Sequence, residues 1–194
     1  ESIQVEDRSI MLLIDSNYSY RSDELQSWYA NPKSPFGTKG NRNRFNTTSQ
    51  TFSRRALTTR KEGGVLSTAA VLTMTSTPLR TSPIKRGAWA ATVIFNDPPP
   101  PPPDLVPEIE EDDAAIAASG LTIRDRLKQH ASDQSCASCH AKIDPMGFAL
   151  ENYDAVGRWR DNYAGGLPVD ACGKLFGEIE FKNIVEFKDA ILAR

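Results

Sequence analysis

The order of apolar and polar positions along the chain predicts short helices separated by long irregular stretches. Helices are predicted where a capping residue precedes apolar positions three or four residues apart, at 22–29, 81–95, 122–130 and 183–194. A further short helix is predicted at 145–152, with Pro145 at its start. The run Ile10–Ile14 fits a helix end or a strand, and residues 65–74 are too apolar for a surface and are predicted to lie in a core.

The remaining segments predict one hairpin, one loop and one stiff spacer. Leu167–Asp170 and Glu178–Phe181 alternate between apolar and polar residues and are separated by glycines, which predicts a β-hairpin. Residues 31–62 are rich in Asn, Ser, Thr, Gly and Arg and lack periodicity, as in a long surface loop. Pro98–Pro103 favours polyproline II, a rod of roughly 19 Å that serves as a spacer or a docking strip.

These boundaries divide the chain into three predicted parts. Residues 1–97 form an irregular and helical front lobe, 98–119 a polyproline and acidic linker, and 120–194 a cofactor-binding domain. No internal repeat is found. No apolar run is long enough to span a bilayer, so no transmembrane segment is predicted in this chain.

Composition and charge exclude some functions and leave others open. The 194 residues carry a net charge of −2, so nothing overall favours nucleic acid or an anionic membrane. Charge is unevenly placed, because basic residues dominate 31–62 and acids dominate 104–113. Both stretches fit solvated surface, or docking surfaces for a partner protein.

The segment with the clearest chemistry is Cys136-Ala-Ser-Cys139-His140. Two thiols at this spacing can form thioether bonds to the vinyl groups of one haem, and the adjacent His140 then becomes the proximal iron ligand. The predicted cofactor is therefore one haem c, covalently bound through Cys136 and Cys139. The predicted fold is mainly α with much irregular structure, in which short helices surround this haem beside a small β-hairpin.

Two other chemistries of the same residues stay open at this stage. A redox dithiol or disulfide would use Cys136 and Cys139, although no thioredoxin-like βαβ pattern surrounds them. A zinc site would need both thiols together with Cys172 and one histidine.

The residues around the motif also carry a family resemblance. The segment GGVLSTAAVLTMTSTPLRTSPIKRGAWA at 63–90, with the prolines and DLVPE up to 108, resembles one domain of the planctomycete-type cytochrome c-like proteins. The segment CASCHAKIDPMGFALENYDAVGRWRD at 136–161 resembles the domain that follows it. The resemblance implies large, exported, multi-domain proteins of unestablished biochemical role, and a chain that is a fragment of one. Family members usually have a small residue at position 172, where Cys172 is expected to be a buried free thiol.

The sixth iron ligand has several candidates in the sequence. His130 precedes Cys136 by six residues and would give bis-histidine ligation, Met146 follows His140 by six residues, and an open or external site is the third possibility. Met74 and Met11 are expected to pack in a core. The resemblance favours His130, because its pattern has histidine there and commonly an aliphatic residue at 146.

Further residues are predicted to surround the cofactor. Arg158 and Arg160 are candidates to pair with the haem propionates, and a backbone carbonyl near Asp144–Pro145 is expected to accept the His140 Nδ1–H. Apolar and aromatic residues are predicted to wall the haem: Ile143, Phe148, Leu150, Tyr153 and Trp159.

The function predicted from these residues is one-electron transfer within a larger exported protein or complex. The expected partners are redox proteins or other subunits. The expected location is periplasmic, extracellular or on the cell surface, because haem is attached to this motif outside the cytoplasm. One alternative is a haem enzyme of peroxidase or oxygenase type with an open iron site, in which His130 would be the candidate base. Another is an assembly subunit in which the haem is a structural staple.

Overall fold

The computed structural model describes residues 3–30, 51–78, 80–101, 118–130 and 134–194. Of the surface loop predicted at 31–62, residues 31–50 lie outside the described part, and so do the acidic stretch at 104–113, Pro102 and Pro103. Residues 51–62 contain a strand at Ser53–Ala56 and a 3₁₀ turn at Arg60–Glu62, so the loop prediction is wrong for that part. Pro98–Pro101 are described and form neither helix nor strand, as the proline run predicts.

The described residues form six α-helices, four short β-strands and three 3₁₀ turns. The helices are α1 (Asp23–Ala30), α2 (Ala69–Met74), α3 (Pro83–Val93), α4 (Ile123–His130), α5 (Gln134–Phe148) and α6 (Ile184–Leu192). The strands are β1 (Tyr18–Arg21), β2 (Ser53–Ala56), β3 (Gly173–Leu175) and β4 (Ile179–Phe181). The 3₁₀ turns are Ile10–Leu13, Arg60–Glu62 and Val65–Ser67.

The helix starts follow from their capping residues, as predicted. The Ser82 hydroxyl accepts the Lys85 amide, and Pro83 occupies the first turn of α3. At α4, the Thr122 hydroxyl accepts the Asp125 amide at 3.2 Å and the Asp125 carboxylate accepts the Thr122 amide at 3.1 Å, which is a reciprocal capping box. Asn183 caps α6 in the same way as Ser82 caps α3.

The helix predicted at 145–152 is wrong, because Pro145 lies inside α5 and not at a helix start. Proline ordinarily ends a helix by removing one hydrogen bond, and packing on both sides of α5 offsets that loss here. On one side α3 approaches so closely that a Cβ on Gly87 would lie 2.0 Å from the Ile143 carbonyl oxygen, and one on Gly147 would lie 1.9 Å from that of Pro83. The α3 and α5 backbones are therefore in direct contact.

One apolar core connects parts of the chain on both sides of the predicted linker. Leu66 and Leu72 from the front segment are buried in the same cluster as Leu150, Phe181 and residues of α6. The proposed boundary at 98 therefore does not separate two packing units among the described residues. Met74, predicted to be a core residue, is 64% exposed, and Met11 is also exposed, because each lies on the outer side of a single helical turn.

The strand predictions were right for one strand and wrong for another. β3 and β4 form an antiparallel hairpin in which Leu175 faces Ile179, so Glu178–Phe181 is confirmed in outline. Leu167–Asp170 is not its partner, and Pro168 instead makes an isolated bridge with Asn162. The antiparallel pair β1–β2 joins segments more than thirty residues apart, and no local pattern predicted it.

The buried amine of Lys188 connects α6 to the 3₁₀ turn Arg60–Glu62. Its side chain is fully buried, and Nζ donates to the carbonyl of Arg60 at 2.5 Å and to that of Gly63, with Asp15 at 3.5 Å. Burial lowers the pKa of Lys188 from 10.5 to about 8, because desolvation outweighs the attraction of the Asp15 carboxylate.

The free energy of unfolding is therefore expected to rise with pH between about 8 and 10.5. In this range the unfolded chain binds a proton that the folded chain has released, so raising the pH favours the folded state by up to about 1.4 kcal/mol per pH unit. Urea denaturation at about pH 7.5 and pH 9.5 measures the difference. Lys188→Met, which lacks the titrating group, should show a smaller rise than the wild-type chain. If the free energy of unfolding rises equally in both proteins, Lys188 is not the group responsible for the pH dependence.

Candidate functional site

The Cys136–His140 segment lies in the first turns of α5. Helical spacing places positions 136, 139 and 140 on one side of the helix, since they are related as i, i+3 and i+4. Cys139 is a free, partly exposed thiol, and His140 is 9% exposed. The backbone therefore places the two cysteine positions and the histidine on one side of the helix.

The imidazole of His140 is held by a carboxylate one turn further along α5. Its Nδ1 lies 2.9 Å from Oδ1 and 3.1 Å from Oδ2 of Asp144, and both side chains are largely buried. The sequence predicted a backbone carbonyl near Asp144–Pro145 as the partner, and the structure corrects this to the Asp144 side chain. A neutral imidazole carries one ring proton, so donation from Nδ1 to Asp144 leaves Nε2 as the nitrogen with the ligating lone pair.

The surroundings of α5 hold this end of the helix against α3. Lys142, two residues after His140, forms an ion pair with Asp97 at 2.5 Å. Asp97 follows the end of α3, and its amide also donates to the Ala91 carbonyl. The part of α5 that contains His140 is thus held against α3 by backbone contact and by the Lys142–Asp97 ion pair.

Met146 is a core residue and not an axial ligand. It is 1% exposed and belongs to the main apolar cluster. Met146 and His140 lie on one continuous helix, about 9 Å apart along its axis and on different sides of it. A single helix in that geometry cannot place both side chains on opposite faces of one iron.

Phe148 connects α5 to α4. It is 5% exposed and packs with Ile123 and Leu127, and the guanidinium of Arg124 lies 3.9 Å from its ring centroid. These contacts fix α4 against the second half of α5. That Phe148 lines a haem pocket stays a prediction.

His130 is the last residue of α4, and its side chain lies outside the described part of the structure. Its backbone position is in register with Ile123 and Leu127, since the three are spaced four and three residues apart. The docking of those two residues on Phe148 orients the helix that ends at His130. Its role as sixth ligand stays a prediction.

Arg160 belongs to a buried ion-pair network and not to a solvent-facing anion site. Its Nη2 lies 3.1 Å from Glu151 Oε2 and 3.0 Å from the Thr81 hydroxyl, and its Nε donates to the Glu151 carbonyl. The guanidinium also stacks on the Tyr163 ring. This set of contacts engages Arg160 within the fold, and its pairing with a haem propionate stays a prediction.

Trp159 and Arg158 line a separate small cavity. The Trp159 ring packs edge-on against Tyr153 at 5.3 Å, and the Lys61 ammonium lies 3.8 Å from its centroid. Arg158 lies on the wall of the same cavity. Tyr153 and two further predicted wall residues, Ile143 and Leu150, are buried in the main cluster. A role for these residues at a haem stays a prediction.

Cys172 is exposed, which corrects the expectation of a buried thiol. A hydrogen bond to the Asp170 carboxylate raises the pKa of the Cys172 thiol, and the Cys172 amide donates to Asp170 at 3.0 Å. Among the described side chains, no group of three or more His, Cys, Asp or Glu could hold a metal ion. The side chains of Cys136 and His130 lie outside the described part, so the zinc alternative with Cys172 stays a prediction.

The sequence identified Cys136, Cys139 and His140 and missed two features of the surroundings. Asp144 lies four residues after His140, and that i, i+4 spacing on a helix was a usable signal. Lys61 contacts Trp159 although the two residues are 98 positions apart in the sequence, and no local pattern could have predicted this contact.

Comparisons with known proteins give one match. A family model described as PSCyt3, protein of unknown function (DUF1588), matches residues 62–163, just over half of the chain. Neither a curated protein nor a solved structure matches significantly. Among the described residues, no helix is both long and apolar enough to cross a membrane.

Proposed function

The chain belongs to the PSCyt3 family, whose function is unknown, and we propose that it is a c-type cytochrome unit that transfers single electrons within a larger exported protein. The observation that carries the proposal is the helix start itself. It places two cysteine positions and a carboxylate-held histidine on one side of α5.

The residues present fit a covalent haem c. Thioether bonds need two thiols close together, and positions 136 and 139 are neighbours on the helix surface. The proximal ligand must offer one neutral imidazole nitrogen, and the Asp144 contact at Nδ1 leaves Nε2 for that role. When bound, the haem supplies a one-electron couple between Fe(II) and Fe(III).

The chain's own residues hold and tune this site. Asp144 fixes the ring orientation of His140, and its negative charge would increase the electron donation of the imidazole to a bound iron. Contact with α3 at Gly87 and Gly147 keeps α5 in place. His130, at the end of a helix docked on α5, is the proposed second axial ligand.

Location and partners follow from the same proposal. Attachment of haem to a C-x-x-C-H segment takes place outside the cytoplasm, so the protein is proposed to be periplasmic, extracellular or on the cell surface. Redox proteins or other subunits of a larger assembly would give and take the electrons, and the chain would be a fragment of that larger protein.

Removing the two cysteines of the motif is expected to abolish covalent haem. The full chain is exported to the periplasm of a host that attaches c-type haem, and haem is detected on the denatured polypeptide after electrophoresis. Cys136→Ala with Cys139→Ala should remove all of the signal, because no thioether bond can form. Cys172→Ala, which removes the exposed thiol outside the motif, should leave the signal unchanged.

The same experiment can reject the proposal. Wild-type chain without polypeptide-bound haem would contradict it, provided that a known c-type cytochrome matures in the same cells. Haem retained by the double variant would contradict attachment at Cys136 and Cys139.

A second candidate function is a haem enzyme of peroxidase or oxygenase type. The observation that favours it is the Asp144 carboxylate, because an anionic partner at Nδ1 would increase the electron density that a proximal histidine donates to an iron. Spectra of the haem-loaded chain with carbon monoxide and with cyanide distinguish the two. Rapid binding of both favours an open iron site and the enzyme, whereas no binding favours six-coordinate iron and the electron carrier.

A further inference from the structure

A small cavity lies at the junction between the front segment and the loop that follows α5. Its volume is about 220 Å³, which is below the usual range for drug-sized ligands and is equivalent to about seven water molecules. The cavity is lined by three aromatic residues and by polar or small ones: Tyr29, Thr59, Lys61, Glu62, Tyr153, Gly157, Arg158 and Trp159.

The charges on the cavity wall favour an anion. Lys61 and Arg158 are cations, and the one acid on the wall, Glu62, is paired with Arg21 at 2.7 Å. The Lys61 ammonium lies on the Trp159 ring, and among the described side chains no carboxylate lies within ion-pair distance of it. A ring face attracts a cation without neutralising its charge, so the Lys61 ammonium can still pair with an anion.

The aromatic walls are neutral and held in place. Burial raises the pKa of both Tyr29 and Tyr153, so neither hydroxyl ionises near neutral pH. The Tyr153 hydroxyl donates to the Lys61 carbonyl, and the Tyr29 hydroxyl accepts the Ala69 amide at 2.8 Å. Both hydroxyl groups are thus engaged with the backbone, and their rings form a rigid apolar surface beside the Lys61 cation.

We propose that this cavity binds a small organic monocarboxylate. The carboxylate would pair with Lys61, and its apolar part would lie against the rings of Tyr153 and Trp159. The volume is sufficient for an apolar group about the size of one aromatic ring, and it is too small for a nucleotide or a haem. The site involves none of the residues proposed to attach or ligate haem, so the inference goes beyond the electron-transfer proposal and does not depend on it.

Benzoate is the probe, and benzamide is its neutral counterpart of the same shape. Each is titrated into the full chain, and two-dimensional ¹H–¹⁵N NMR spectra follow the amides of residues 59–62 and 153–159. Benzoate is expected to shift these signals with a dissociation constant in the millimolar range or below, and benzamide to bind at least about tenfold more weakly.

Lys61→Met should weaken benzoate binding at least about tenfold, because it removes the charge-assisted contact and keeps a side chain of similar length. Lys61→Arg should retain binding, which separates loss of charge from a disturbed fold. The matched control is Lys174→Met, which removes an exposed lysine on the β3–β4 hairpin and should bind as the wild type does.

Three results would overturn the proposal. They are equal binding of benzoate and benzamide, unchanged benzoate binding by Lys61→Met, and shifts that occur away from the cavity or not at all. The comparison of the two probes uses wild-type chain, and the Lys61→Arg variant keeps the charge. The outcome is therefore decided even if Lys61→Met does not fold. Haem content does not enter the measurement, so failure here would leave the cytochrome proposal standing.

Discussion

Glu151→Gln is expected to lower the free energy of unfolding by about 3–5 kcal/mol, because it leaves a buried arginine without its counter-charge. Arg86 and Glu151 are both fully buried, and Nη1 of Arg86 lies 3.3 Å from Oε1 of Glu151. Oε2 accepts the Thr81 hydroxyl at 2.8 Å and Nη2 of Arg160 at 3.1 Å. A glutamine amide keeps the size of the side chain but cannot neutralise two guanidinium groups.

Hydrogen bonds to backbone carbonyls hold the Arg86 guanidinium in the protein interior. Its guanidinium donates to the carbonyl oxygens of Leu150, Tyr153 and Asp154, at 2.7 to 2.8 Å. Burial lowers the pKa of Arg86 to about 10, so it still carries its charge at neutral pH. Arg86 therefore stabilises the turn after α5. Without the counter-charge of Glu151, that turn is expected to become less stable.

Equilibrium denaturation in urea measures the effect. Glu180→Gln is the matched control, because Glu180 pairs with Lys174 on an exposed hairpin and its loss should leave the midpoint unchanged. Equal midpoints for Glu151→Gln and wild type would show that Glu151 does not stabilise Arg86.

Asp144→Asn is expected to raise the reduction potential of the haem-loaded chain, an expectation that rests on the proposed function. An anionic partner at Nδ1 would make the His140 imidazole a stronger electron donor and would stabilise Fe(III) over Fe(II). An asparagine amide removes that charge. A tenfold change in the balance between the two states corresponds to about 59 mV for one electron, and we expect a shift of this order.

A second variant, at a nearby carboxylate, distinguishes the loss of the hydrogen bond to His140 from the loss of one negative charge. Asp97→Asn removes a charge that pairs with Lys142 on the same helix but does not contact His140 in any described interaction. Redox titration followed by absorbance should show a larger rise for Asp144→Asn than for Asp97→Asn. Equal rises would contradict a specific role for Asp144.

The haem-free chain provides an independent measurement. The ¹⁵N chemical shifts of the His140 ring report which nitrogen carries the proton, and they should indicate Nδ1–H in the wild type. Asp144→Asn should mix the two tautomers, because an amide can also donate to Nδ1. An unchanged tautomer would show that Asp144 does not set the proton position, whatever the haem content of the protein.

Local patterns predicted the helices whose starts are encoded in a few adjacent residues. Ser82 with Pro83, and Thr122 with Asp125, specify the starts of α3 and α4 by hydrogen bonds that reach only three residues. The stripe of Ile123 and Leu127 likewise indicated the buried face of α4. The Cys136–His140 segment stood out for the same reason, since the proposed haem attachment needs only five consecutive positions.

The features missed are those that depend on distant parts of the chain. Pro145 alone favours a helix start, and only the contact of α5 with α3 shows why the helix continues through it. Arg86 and Glu151 are polar in sequence, and their burial depends on each other across more than sixty residues. The contacts of Arg160 with Glu151 and Thr81 belong to the same network, and they too were not predicted.

If the protein transfers electrons as proposed, the contact between α3 and α5 would affect the rate of that transfer. Where Gly87 and Gly147 allow backbone to touch backbone, no flexible side chain separates the two helices. A ligand on such a helix has little freedom to shift when the charge on its metal changes. For the proposed electron carrier, this means a small reorganisation energy, and hence fast electron exchange at a modest driving force. The glycines would then contribute to speed, although neither one touches the cofactor site.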